Sequence, residues 1–292
     1  MTALRFGLDI STSAAADADP VADARAAEDL GFDFVSASDH PSGTHPTYET
    51  WTMLTWIAAA TSHVQVATRV LGVPYRSPAM VAKMAESLDR LSGGRLILGL
   101  GGGASDEEFR SFGLSVRPPR EKVDALAEAV RVIRGLWTQP RLTYEGTHYR
   151  TDDAPLEPKP TRPIPIWLGT FGRRSLAITG ELADGWIPSL DHAGGPDRIA
   201  DLHRQVADAA RAAGRNPADL TYACNLTVRV TDDGDSTQAD IAGSIDAVTK
   251  QFADLAATGF DAFNLMPVGD GRARQVELLA TGVVPRTRQA VE

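Results

Sequence analysis

The chain is nearly devoid of cysteine. Cys224 stands alone among 292 residues, which rules out an intrachain disulfide and any cysteine-based zinc cluster. It falls in a strand-like stretch, where a buried, inert thiol is the expected state. Histidines are also few, six in all, and no two have the spacing of metal ligands, so no metal site is expected. No apolar run approaches the roughly 18–20 residues that a membrane helix needs. Positive charge is in deficit as well. The formal net charge of −9 disfavours a phosphate backbone as partner, so no nucleic acid is expected. The first residues, Met1 to Phe6, run straight into a strand pattern without a secretory leader, and a cytoplasmic protein is expected.

What is present is a repeat of short apolar runs and amphipathic stretches. The strand-like runs are Leu4 to Ile10, Phe32 to Ala37, Val64 to Val70, Leu96 to Leu100, Ile164 to Leu168, Gly185 to Pro188, Leu220 to Val230 and Ala262 to Met266. Helices are expected between them: from Asp19-Pro20 to Gly31, over Tyr48 to Thr61, and from an N-cap at Ser77. Further helices are expected from Pro119, over Arg173 to Leu182, Pro196 to Ala213 and Thr237 to Ala257, and from near Gly271. Val81, Met84, Leu88 and Leu91 recur at intervals of three, four and three, the signature of one buried helical face. Such α/β alternation, eight times over, suits a (β/α)8 TIM barrel better than a doubly wound sheet. One excursion interrupts it after the fourth helix, over 142–163. Thr143 to Tyr149 reads there as a hairpin turning at Gly146, a candidate active-site flap or partner surface. Nothing marks a linker between two halves.

A barrel of this kind builds its site at the C-terminal ends of its strands. That rule selects Asp39 and His40, the stretch Arg69 to Gly72, Gly101 to Ser105, Gly169 to Arg173 and Pro188 to Asp191. Imidazole ordinarily titrates at about 6.5, so His40 can exchange a proton near neutral pH; as a bland alternative, Asp39 caps a loop and His40 is an ordinary polar residue. Gly101, Gly102 and Gly103 let backbone approach a flat or charged ligand, although loops use glycine for many reasons. Gly169, Thr170, Gly172 and Arg173 lead a strand into a helix start, where free amides favour phosphate. The alternative there is a surface helix start with two solvated arginines. Together these features point to a phosphorylated planar cofactor.

Six segments, in order, carry a family resemblance: Ser38-Asp39-His40, Trp51-Thr52-Met53-Leu54, the stretch Ala85 to Arg95 running into Gly99-Leu100-Gly101, Tyr144 to Tyr149, Pro165 to Gly169, and Ala183-Asp184-Gly185-Trp186. On these the chain resembles the luciferase-like monooxygenase superfamily over nearly its whole length, which implies one barrel domain spanning 1–292. Within it the chain is most similar to actinobacterial oxidoreductases that use the deazaflavin coenzyme F420. The resemblance implies that Asp39 and His40 lie near the reactive carbon of the cofactor, with His40 as proton donor or acceptor. It implies a non-proline cis peptide behind the ring, at the bond matching Arg69-Val70. It also implies that Gly101 to Gly103 lie along the cofactor and that Gly169, Thr170, Gly172 and Arg173 hold its phosphate. One position departs from the pattern: the F420-dependent glucose-6-phosphate dehydrogenases carry a glutamate just after the strand-four glycines, where this chain has Ala104. Hydride transfer to or from a small organic substrate survives that loss; sugar-phosphate chemistry is in doubt. Two other functions stay open, an FMN-dependent monooxygenase fed by a separate reductase and a cofactor-binding protein without turnover. The resemblance further implies a homodimer formed by helices flanking the first three strands, around Ala58 to Ala60 and Val81 to Met84.

Overall fold

The computed structural model describes residues 4–231, 239–269 and 271–291. Eight parallel strands form the centre: β1 (Arg5–Asp9), β2 (Phe34–Ala37), β3 (Gln65–Thr68), β4 (Leu96–Gly101), β5 (Ile166–Leu168), β6 (Gly185–Trp186), β7 (Thr221–Val230) and β8 (Ala262–Pro267). Each pairs with the next, and β8 pairs with β1, so the sheet closes on itself. Around it lie α1 (Pro20–Asp29), α2 (Thr50–Ala60), α3 (Pro78–Leu91), α4 (Pro119–Thr138), α5 (Arg173–Leu182), α6 (Pro196–Ala212), α7 (Ile245–Ala257) and α8 (Arg272–Leu278). The last helix continues through Leu279–Val283 into Val284–Val291. The expected TIM barrel is thus the observed one. Strands such as β2, buried at all four residues, are covered by helices outside and core inside, which is why they appear in the sequence as unbroken apolar runs.

Several local expectations are corrected. Leu91 is 83% exposed, and the buried face of α3 runs instead through Val81, Ala82, Ala85 and Leu88; the two alanines let the helix lie close to the barrel. The side chain of Ser77 makes no capping bond, and α2 starts behind Glu49, whose carboxylate accepts from the amides of Trp51 and Thr52. The helix expected from Thr237 begins at Ile245. Residues 232–238 lie outside the described ones, and Ile241–Gly243 adds a short parallel pairing to β7 before Ser244 caps the helix. Cys224 is fully buried, and burial pushes its thiol well above its ordinary titration range.

The excursion is a two-stranded hairpin, Arg141–Glu145 against Arg150–Pro155. Glu128 on α4 fastens its turn by accepting from the amides of Thr147, His148 and Tyr149 at 2.8–2.9 Å. Three amides on one carboxylate hold the hairpin against α4.

The barrel interior has two layers. Below, Phe34, Ala67, Ile97, Trp167, Ile187, Ala223 and Ala262 form an apolar plug, with the Arg5 guanidinium over the rings of Phe34 and Trp167. Above it, Ser36 donates to Asn264 Oδ1 at 2.9 Å, and Asn264 donates to Asn225 Oδ1 at 3.0 Å. This buried polar layer is hydrogen-bonded throughout, as burial requires, and forms the floor under the strand ends.

Candidate active site

At the C-terminal ends of the strands lies a cavity of about 480 Å³. Asp39, His40, Arg69, Val70, Gly101, Gly102, Gly103, Gly169, Thr170 and Gly172 all line it. Residues far apart in sequence meet here because each follows a different strand of one closed sheet. Arg173 does not line it and sits exposed in the first turn of α5. No residue of the hairpin is among those lining it.

Asp39 and His40 are neighbours with different surroundings. The Asp39 side chain is wholly buried and accepts from the Gly72 amide at 2.9 Å and from both terminal nitrogens of Arg76 at 2.8 and 3.1 Å. A carboxylate so engaged braces the wall of the cavity. His40 is half exposed, and its Nδ1 lies 2.8 Å from Glu108 Oε1. The other oxygen of Glu108 accepts from the Tyr75 hydroxyl at 2.7 Å. Burial acts to raise the Glu108 carboxyl, but the bonds from Tyr75 and His40 outweigh it and hold it below its ordinary value. Burial, then the bond to Glu108, pushes the Tyr75 phenol up, so it stays a donor.

The glycines divide by purpose. A Cβ on Gly101 would come within 2.5 Å of a Val70 methyl, and one on Gly103, at φ +89°, within 2.4 Å of the Phe109 ring. Those two make room for neighbouring side chains. Gly102 and Gly172 have no atom closer than 3.5 and 3.6 Å to such a Cβ, so they leave space for something outside the chain. Val70 follows a cis Arg69-Val70 bond, the bond singled out by the family resemblance. Its methyls lie against Gly99, Gly101 and Gly169. An apolar backing, a bare backbone wall at Gly102 and a helix start behind Gly172 fit a flat cofactor with a phosphate. Thr170 is buried, with its hydroxyl 2.7 Å from that of Thr179 and its carbonyl accepting from Trp186; it fixes the loop.

Sequence reading missed Glu108, Tyr75, Lys122 and Asn225, all of them in or against this wall. Lys122 donates to the Gly103 carbonyl at 3.0 Å and to Asp106 at 2.5 Å. Ser105-Asp106-Glu107-Glu108 has the capping-box pattern that opens a helix, and the short helix Asp106–Ser111 is there, with Ser105 accepting from the Glu108 amide. That motif at a strand end was the available signal for Glu108. Tyr75 and Asn225 offered none.

The model of the luciferase-like monooxygenase family matches residues 2–278. The chain belongs to that family. Among its luciferase-like relatives, the F420-dependent hydroxymycolic acid dehydrogenase of Mycobacterium tuberculosis is 35% identical over 75% of this chain and 61% of that protein. The F420-dependent glucose-6-phosphate dehydrogenase of Nakamurella multipartita is 32% identical over 81% of this chain and 71% of its own length. The alignment therefore spans less than two thirds of the first of these. Among solved structures, an F420-dependent secondary alcohol dehydrogenase in complex with an F420-acetone adduct superposes with a TM-score of 0.87, at 20% identity, over 98% of this chain and 99% of that one. The coenzyme F420 dependent tetrahydromethanopterin reductase of Methanopyrus kandleri superposes at 0.83, at 21% identity, over 98% and 100%. At such identities the likeness is one of fold.

Proposed function

We propose that this chain is an F420-dependent oxidoreductase that passes a hydride between the deazaflavin and a small organic substrate, with His40 as the acid/base. The observation that carries this reading is the placement of His40 at a glycine-walled cavity backed by Val70. The F420 dependence of relatives more than 30% identical supports it. Gly101 to Gly103, Arg69 and Val70 would lie along the ring system, and Gly169, Thr170, Gly172 and Arg173 would hold the phosphate at the start of α5. When bound, F420 supplies a carbon that gives or accepts hydride.

His40 moves the accompanying proton. Its Nδ1 faces Glu108, which leaves Nε2 as the nitrogen that exchanges a proton with substrate. Asp39 holds Arg76 and the Gly72 amide, and so keeps the wall behind His40 in place. Of the cations lining the cavity, Lys122 is paired with Asp106 and Arg69 with Asp9 at 2.8 Å. With these charges balanced and alanine at position 104, an uncharged substrate suits the site better than a sugar phosphate. The reaction belongs in the cytoplasm. Two copies pair through α2 and α3, where Trp56 is 71% and Met80 57% exposed, side chains whose apolar area favours association. Sedimentation should show a dimer, and Trp56→Glu a monomer.

Equilibrium titration with F420 and, separately, with FMN, followed by cofactor fluorescence, tests the reading. Selective binding of F420 at micromolar concentration or below is expected. Selective binding of FMN would move the chain to the oxygen-using enzymes with a partner reductase, and binding of neither would overturn the cofactor assignment.

A further inference from the structure

We propose that Glu108 is the positioning residue of His40: its carboxylate holds the imidazole with the proton on Nδ1, so that Nε2 carries the lone pair presented to the cavity. The inference deepens the reading of His40 as acid/base and rests on it.

Three observations carry it. Glu108 Oε1 is 2.8 Å from His40 Nδ1, and an ionised carboxylate can only accept, so the hydrogen between them belongs to the imidazole. The second oxygen is 2.7 Å from the Tyr75 hydroxyl, which leaves the carboxylate little freedom to rotate away. The backbone under Glu108 is anchored as well. Ser105 caps the short helix, and Phe109, the next residue, is buried against the Tyr75 ring at 4.9 Å.

A carboxylate behind an imidazole acts in two ways. It selects one tautomer, and it stabilises the imidazolium that forms when Nε2 takes a proton. Glu108 reaches the site through His40. Nothing is consumed in this arrangement. A proton leaving substrate passes to His40 Nε2, Glu108 stays ionised, and the proton returns to solvent from Nε2 after product leaves.

The test has two arms. In the cofactor-free protein, long-range proton–nitrogen NMR near pH 8 should show His40 protonated at Nδ1 alone. Glu108→Ala should abolish that single tautomer, and Glu108→Gln, whose amide can turn its N–H to Nδ1, should shift the proton toward Nε2. In single-turnover hydride transfer with F420, Glu108→Gln should slow the transfer about 10²- to 10⁴-fold, because the wrong tautomer is favoured and the charge is lost, while F420 affinity stays within about threefold. Added to His40→Ala, it should cost no further rate. The inference fails if Glu108→Gln transfers hydride at the wild-type rate, if its effect multiplies with that of His40→Ala, or if wild-type His40 carries its proton on Nε2. Failure of the wild type to bind F420 would overturn the proposed function instead, and the NMR arm would still decide the pairing.

Discussion

The two ends of the barrel hold similar groups and use them differently. At the upper end, Asp39, Lys122 and Arg69 line a cavity of about 480 Å³ and Glu108 stands behind His40, and each of the four has an ionic or hydrogen-bonded partner within 3 Å. At the lower end, a larger cavity of about 640 Å³ is lined by His203, Tyr222 and Asp261 among many alanines. His203 Nε2 and the Tyr222 hydroxyl have no hydrogen-bond partner among the described residues. Burial pushes the Asp261 carboxyl up to about 6, against bonds from backbone amides and the charge of Arg5. Burial also lowers the titration of His203. Judged by volume and displaced titration, the lower end looks more like a site. Desolvation alone displaces a titration without preparing any chemistry. The upper end has strand ends, bare backbone, a helix start and a histidine held by a carboxylate, the features on which the proposed function rests.

The sharpest way to break this comparison is to remove one histidine from each end. His40→Ala should slow hydride transfer by about 10²- to 10⁴-fold in single-turnover kinetics while F420 binding stays nearly intact. His203→Ala should leave the transfer step of the folded enzyme unchanged. An equal loss in both would mean that the ends are not functionally distinct.

Gly101→Ala comes next in size. The added methyl would lie 2.5 Å from Val70 and push it into the cavity, weakening F420 about tenfold by fluorescence titration, or about 1.4 kcal/mol. Arg173→Glu should weaken it by about three- to fivefold at low ionic strength, an effect that fades as salt is added. Arg174→Glu should do less, since Arg174 is already tied to Asp124.

The smallest effect belongs to the lower end and appears as stability. The folded value for Asp261, about 6, lies above its ordinary 3.8. Its stabilisation is therefore fully present below about 3.8 and is lost as pH rises through about 6. Asp261→Asn, neutral at every pH, should raise Tm at pH 8 by about 2 °C and flatten its rise on acidification toward pH 5. An unchanged pH profile of Tm would remove Asp261 from the account.

The repeat of the barrel was legible because strands buried on both faces must be apolar along their length. Gly185 to Pro188 and Ala262 to Met266 are expected as strands, and strands Gly185–Trp186 and Ala262–Pro267 are observed there. The candidate site was legible as positions, since Asp39, Arg69, Gly101 and Gly169 each stand at or just beyond the end of a strand. Their tasks were not. Asp39 reads as half of a titrating pair with His40, yet it is saturated by Arg76 and Gly72. Gly101 reads as a cofactor surface, yet it also makes room for Val70. The partner of His40, Glu108, stands 68 residues away, and no local pattern encodes a contact across that distance.

By itself, then, the sequence determined the order of strands and helices, the closed sheet they imply, and the end of it at which a site would form. Those follow from periodicity and chain connectivity, which are local. Only the tertiary structure decided which carboxylate braces a wall and which one holds the histidine. Hydrogen bonds and burial depend on distance in space, and a barrel brings residues from different strands within 3 Å of one another.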